Sequence, residues 1–99
     1  MKKALVVGVN EYASAPNLSA CVNDATSMAT VLETHGDGSP NFDVRLLTSP
    51  RDSITVASLK ESISELFSGS CDIALLYFAG HGIVTSTGGH IVTPDSKKY

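Results

Sequence analysis

Apolar residues fall into short clusters along the chain, and their spacing alternates between two periods. Ala4-Leu-Val-Val-Gly-Val9 is continuously apolar, the pattern of a strand buried on both faces. Asn10 to Asn17, with Ser14, Pro16 and two Asn, predicts a loop. Val22, Ala25, Ala29 and Leu32 then recur at three- and four-residue intervals. That spacing predicts an amphipathic helix, with Ser19 placed to cap its start and Gly36 to stop it. Beyond a loop over Gly36–Asn41, Asp43-Val-Arg-Leu-Leu47 predicts a second strand. Val56, Leu59, Ile63 and Leu66 predict a second helix, opened by Ser53 or Thr55 and ended by Gly69. Asp72 to Ala79 is the third and most hydrophobic strand, and it runs into Gly80-His81-Gly82. Two weaker strands, Ile83–Thr85 and His90–Thr93, are expected to pair as a hairpin turning at Gly88-Gly89.

The order β-α-β-α-β predicts an α/β fold, a parallel sheet with right-handed crossovers in one small domain. The expected spatial order is second–first–third strand, with Val6, Leu46, Leu75 and Tyr77 near the sheet core. The helices are expected either one on each side or both on one face. Such sheets bind ligands at the carboxyl ends of their strands. Here that edge gathers the loop from Asn10 to Asn17, the segment Thr48–Asp52 and Gly80–Gly82.

Composition narrows the function classes. Seven basic against ten acidic residues leave a net charge of −3, without the clustered Lys and Arg on which nucleic-acid affinity rests. With 42% apolar and 17% charged residues the chain is too hydrophobic to be disordered. Its longest apolar run, Ile73–Ala79, is far short of the roughly 20 residues needed to cross a bilayer. Gly8 and Asn10 end the run after Lys2 and Lys3 too early for a signal peptide. Two cysteines are too few for a disulfide scaffold. The expectation is a soluble cytoplasmic domain with neither nucleic acid nor membrane as partner.

Four residues carry the candidate chemistry. His81 leaves the most hydrophobic strand between two glycines that let the backbone turn sharply and approach a ligand. The Gly82 N–H, freed by that turn, is placed to face an oxyanion. Position alone leaves His81 equally open to a structural role and to that of a general base. Cys71 precedes the strand that His81 follows, so the two are roughly 33 Å apart and form no dyad; it is expected to be a small packed side chain. Cys21 lies in the first turn of the first helix, where the helix N-terminus is expected to lower its thiol pKa. Asp24 is one turn further on. For this pair, packing and a helix-dipole role stand open beside chemistry. His35 at a helix end and His90 in the hairpin are read as structural and surface residues, and their spacing with the cysteines predicts no metal site. No phosphate-binding glycine loop is present.

Three segments, Ala4-Leu-Val-Val-Gly-Val-Asn-Glu-Tyr12, Leu18-Ser-Ala-Cys-Val-Asn-Asp-Ala25 and Leu75-Leu-Tyr-Phe-Ala-Gly-His-Gly82, resemble the N-terminal part of a caspase/metacaspase-like cysteine peptidase. Val92-Thr-Pro-Asp95 is similar to the segment that follows the family's His hairpin, so the resemblance spans essentially the whole chain. It implies a caspase-like parallel-sheet sandwich, with His81 as catalytic base and the Gly82 N–H in the oxyanion hole. The Cys-x-Asn-Asp piece looks metacaspase-like, which implies that Asp24, with Cys21 beside it, lines an S1 pocket for Arg or Lys. The family's nucleophilic Cys comes about 50 residues after the His, whereas none of the residues from Gly82 to Tyr99 is Cys. Residues 1–99 are therefore expected to be a partial domain, cut after the His-bearing strand and its hairpin and inactive alone. Its expected partners are a protein or peptide with a basic P1 residue and the C-terminal half of the domain. No cofactor is expected, and activation by calcium is a family trait that the sequence does not decide. The alternatives are a non-catalytic caspase-like interaction or regulatory module and, third, a short hydrolase using Cys21.

Overall fold

The computed structural model describes residues 1–96. Three strands, β1 (Lys2–Val9), β2 (Asp43–Ser49) and β3 (Ile73–Ala79), form a parallel sheet in the order β2-β1-β3. Val6 sits between Leu46 and Tyr77, and the β1–β3 pairing runs to Gly8 opposite Ala79. The expected order and pairing are borne out.

Helix α1 (Cys21–Glu33) links β1 to β2, and helix α2 (Val56–Leu66) links β2 to β3. The first crossover moves outward from the central strand and the second moves back past it. Two right-handed crossovers in opposite directions place their helices on opposite faces. Alternation along β1 shows the result. Ala4 and Val6 pack with Ala25 and Ala29 of α1, whereas Leu5, Val7 and Val9 pack with Ile54, Leu59 and Leu66 on the α2 side. Val6 is fully buried, while Leu46, Leu75 and Tyr77 are partly buried against the α1 cluster. Gly8 brings α1 directly onto β1: a Cβ there would lie 2.6 Å from the Cys21 carbonyl oxygen and 2.7 Å from the Ala25 Cβ.

The element ends depart from the local signals in three places. Ser19 does not cap α1, whose N-cap is Ala20 with no side-chain bond. The Asn10 Oδ1 at the end of β1 accepts from the N–H groups of Cys21 (3.0 Å) and Val22 (3.2 Å), so a residue distant in sequence satisfies the open helix end. The helix stops at Thr34 rather than Gly36, because Thr34 turns extended and bridges to Pro40. At α2, Thr55 takes the cap as expected, in a capping box with Ser58. Gly69, just past the helix, adopts a φ of +72°. The hairpin strands are β4 (Gly82–Thr85) and β5 (Gly88–Ile91), so the turn falls on Ser86-Thr87 and both expected turn glycines lie in β5. Gly88 supplies the φ of +128° at the turn's exit, and the Thr85 hydroxyl accepts from the Thr87 N–H. Val92 and Thr93, expected to end that strand, are buried beyond it. Among the described residues no helix is long and apolar enough to cross a membrane.

Candidate functional site

The carboxyl edge of the sheet is built around the loop that leaves β1. Leu18 N–H donates to the Asn10 carbonyl, and the Tyr12 N–H donates to the Asn17 Oδ1 at 3.0 Å, so the loop closes on itself. The segment after β5 buttresses it: the Ala13 N–H donates to the Pro94 carbonyl. Asp95 accepts from the Val56 N–H at the start of α2 at 3.1 Å. The charge of a carboxylate suits that helix end.

His81 lies two residues past the last β1–β3 pair, and this loop holds it. Its backbone N–H donates to the Tyr12 hydroxyl at 2.7 Å. The Tyr12 ring meets the imidazole at 4.7 Å between centroids, tilted by 58°. The His81 Nε2 lies 2.7 Å from the Pro16 carbonyl oxygen. A carbonyl oxygen only accepts, so Nε2 carries the proton and the neutral ring keeps its lone pair on Nδ1.

Gly82 faces Ile91 across the hairpin, and the Val92 N–H donates to the His81 carbonyl. In an antiparallel ladder those two facts make Gly82 and Ile91 a non-hydrogen-bonded pair, so the Gly82 N–H points away from β5. The residue is exposed.

Cys21 and Asp24 start α1 at the same edge. The Cys21 thiol is free and half-buried. Loss of solvent, then the Asp24 carboxylate, push its pKa up, against the lowering expected from the helix end. The N–H groups of Cys21 and Val22 are already bonded to Asn10, and an anion stands one turn away. Asp24 is exposed, and among the described residues its carboxylate takes no hydrogen bond or ion pair. Cys71 lies at the opposite end of β3, beside the Met1–Asp72 ion pair, so it makes no dyad with His81. His90 is exposed and bonds the Thr85 hydroxyl at 3.0 Å.

Residue-by-residue reading missed Tyr12 and Pro16 as the partners of His81. It also missed an open cleft of about 440 Å³ lined by Glu11, Tyr12, Asn17, Asp52, Thr55 and Asp95. The Asp52 carboxylate in that cleft is held below its usual pKa by the Thr48 N–H, which donates at 2.8 Å, and then by Arg51. The only advance signal was a Tyr in a polar loop at a strand end. Among the described residues no three His, Cys, Asp or Glu side chains are grouped to hold a metal ion.

Comparison with known proteins agrees with this architecture. The family model for the caspase domain matches residues 1–99. Metacaspase-1 of Scheffersomyces stipitis is 31% identical over 91 residues, covering 86% of this chain. The chain spans 22% of that relative's length. No solved structure matches the chain. Matched over its whole length by the family model, the chain belongs to the caspase-domain family of peptidases.

Proposed function

We propose that residues 1–99 form the N-terminal part of a metacaspase-like cysteine endopeptidase that cleaves after Arg or Lys, its nucleophilic cysteine lying outside them. The observation that carries this reading is the fixed imidazole of His81, with Nε2–H on the Pro16 carbonyl and Nδ1 available as a base. In the reaction, Nδ1 takes the proton of the incoming thiol, and the thiolate attacks the scissile carbonyl carbon. The Gly82 N–H, pointing away from β5, donates to the oxyanion of the tetrahedral intermediate. As the C–N bond breaks, the imidazolium gives its proton to the leaving amine, and water later hydrolyses the thioester with His81 again as base. The exposed Asp24 carboxylate in the first turn of α1 receives the guanidinium or ammonium of the P1 side chain. Neither Cys21 nor Cys71 serves as nucleophile: Cys71 is at the far end of β3, and loss of solvent and the Asp24 carboxylate push the Cys21 thiol above its ordinary pKa.

The test is a chimera in which residues 1–99 replace the matching stretch of the Scheffersomyces stipitis metacaspase-1. It is expected to cleave Arg- and Lys-type peptides but not Asp-type ones, and His81→Ala is expected to abolish cleavage. A folded chimera that cleaves none of them replaces this reading with that of a non-catalytic caspase-like module. Cleavage that survives His81→Ala removes His81 from the mechanism.

A further inference from the structure

We infer that Tyr12 is the positioning residue of the site, holding the His81 backbone and ring so that the imidazole presents Nδ1 in one orientation. The inference rests on the reading of His81 as base. It begins from the sheet. The β1–β3 ladder ends at Gly8 and Ala79, so the partly buried N–H of His81 emerges where no strand is left to receive it. A buried backbone donor needs an acceptor, and the Tyr12 hydroxyl, 69 positions away, supplies one at 2.7 Å.

The same side chain sets its ring against the imidazole, tilted by 58° with 4.7 Å between centroids. Four residues further along that loop, the Pro16 carbonyl binds Nε2. One loop thus grips His81 at its amide, its ring and one ring nitrogen. The grip leaves Nδ1 as the one ring atom with a lone pair. The loop is itself anchored, since Asn17 binds the Tyr12 N–H and Asn10 closes on Leu18.

Gly80 shows that the hydroxyl's place is built in. A Cβ at Gly80 would lie 2.5 Å from the Tyr12 Oη and 2.8 Å from the Phe78 Cζ, so the strand exit leaves room for the hydroxyl by omitting a side chain. Tyr12→Phe keeps the ring and its packing while removing the acceptor. The His81 peptide then loses its tether, and a base displaced by a fraction of an ångström loses rate without losing substrate affinity.

The closing experiment compares three proteins in the chimera: the parent, His81→Ala and Tyr12→Phe. Tyr12→Phe is expected to lower kcat about tenfold or more with KM within about twofold, since misplacement of a reacting group acts on the chemical step. If His81→Ala is as active as the parent, the base assignment falls, and this inference falls with it. If His81→Ala is inactive while Tyr12→Phe keeps its kcat, only the positioning role is overturned. A purely structural role for the hydroxyl predicts a lower melting temperature with kcat retained by the folded fraction.

Should melting drop by more than about 5 °C, the isolated 99-residue chain decides, by NMR of the backbone amide and ring nitrogens of His81. Wild type is expected to show a protected amide and a single Nε2–H tautomer. In Tyr12→Phe the amide is expected to exchange about tenfold faster or more, with a second tautomer populated. Unchanged exchange and an unchanged tautomer overturn the inference.

Discussion

Gly8→Ala is the substitution whose effect follows most directly from geometry. The new methyl carbon would stand 2.6 Å from the Cys21 carbonyl oxygen, 2.7 Å from the Ala25 Cβ and 3.1 Å from the Val22 Cα. All three belong to the helix backbone or its first side-chain atom, so no rotamer change relieves them. To bring the tightest contact to the 3.4 Å at which ordinary packing begins, α1 must withdraw by roughly 0.8 Å. A gap of that size forfeits about a quarter to a half of the dispersion attraction along the α1 face, where Ala4, Val6, Ala25 and Ala29 form the cluster. Overpacking of this kind costs about 1–3 kcal/mol. In a domain this small, about 2 kcal/mol lowers the melting temperature by roughly 8–16 °C. Thermal unfolding of the isolated chain measures it. Gly36→Ala is the control, because among the described residues nothing beyond its chain neighbours lies within 4 Å of the added methyl and no positive φ is required. It is expected to be neutral or to stabilise by up to about 1 kcal/mol. A Gly8→Ala variant that melts with wild type would refute the direct packing of α1 on β1.

Asp24→Asn in the chimera is expected to lower kcat/KM for Arg substrates by about tenfold or more, as loss of a charge-assisted pair requires, with little change in melting. Intact Arg cleavage would reduce Asp24 to a helix-dipole role. The isolated chain is expected to show no turnover on Arg or Lys peptides, since a base without its nucleophile leaves only residual catalysis. Turnover that vanishes in Cys21→Ala but survives Cys71→Ala would instead make Cys21 the nucleophile. Asp52, Asp37 and Asp72 all have pKa values depressed in the folded chain. A depressed folded pKa contributes stability above the ordinary carboxylate value of about 3.9, and that contribution is lost as the pH falls through the folded value. Wild type should therefore lose stability below about pH 4. Asp52→Asn should lose less over that range, while starting less stable at neutral pH. Denaturation curves at the two pH values check the slope, and an unchanged acid loss would remove Asp52 from the account.

The sheet was legible because its signals are periodic and local. The continuous run Ala4–Val9 and the three- and four-residue repeats of the helices need only their own neighbours to be read. Opposite-face placement of α1 and α2 follows from the strand order once right-handed crossovers are applied in both directions. Element ends were harder, because their partners are distant in sequence. Ser19 was a plausible cap by position, but Asn10 reaches the helix N-terminus from the end of β1. The hairpin turn went to Ser86-Thr87 because a single left-handed glycine, Gly88, suffices at its exit. At the site, His81 and Gly82 stood out through their flanking glycines. Tyr12 and Pro16 did not, since what matters in them is a hydroxyl and a carbonyl brought 65 or more positions along the chain to His81. The expected effect of the helix end on Cys21 failed for an electrostatic reason. Desolvation and a neighbouring carboxylate both oppose it.

The most direct measurement of the central claim, that His81 is the base for a thiol supplied from outside these 99 residues, is the pH dependence of alkylation of the chimera's nucleophilic cysteine. An imidazole partner holds a catalytic thiol ionised well below the free value of about 8.5. The parent chimera is therefore expected to react rapidly at pH 6. In His81→Ala the thiolate fraction at that pH should fall by about two orders of magnitude, with the reactivity midpoint returning toward about 8.5. An alkylation profile that is the same with and without the His81 imidazole would contradict the account.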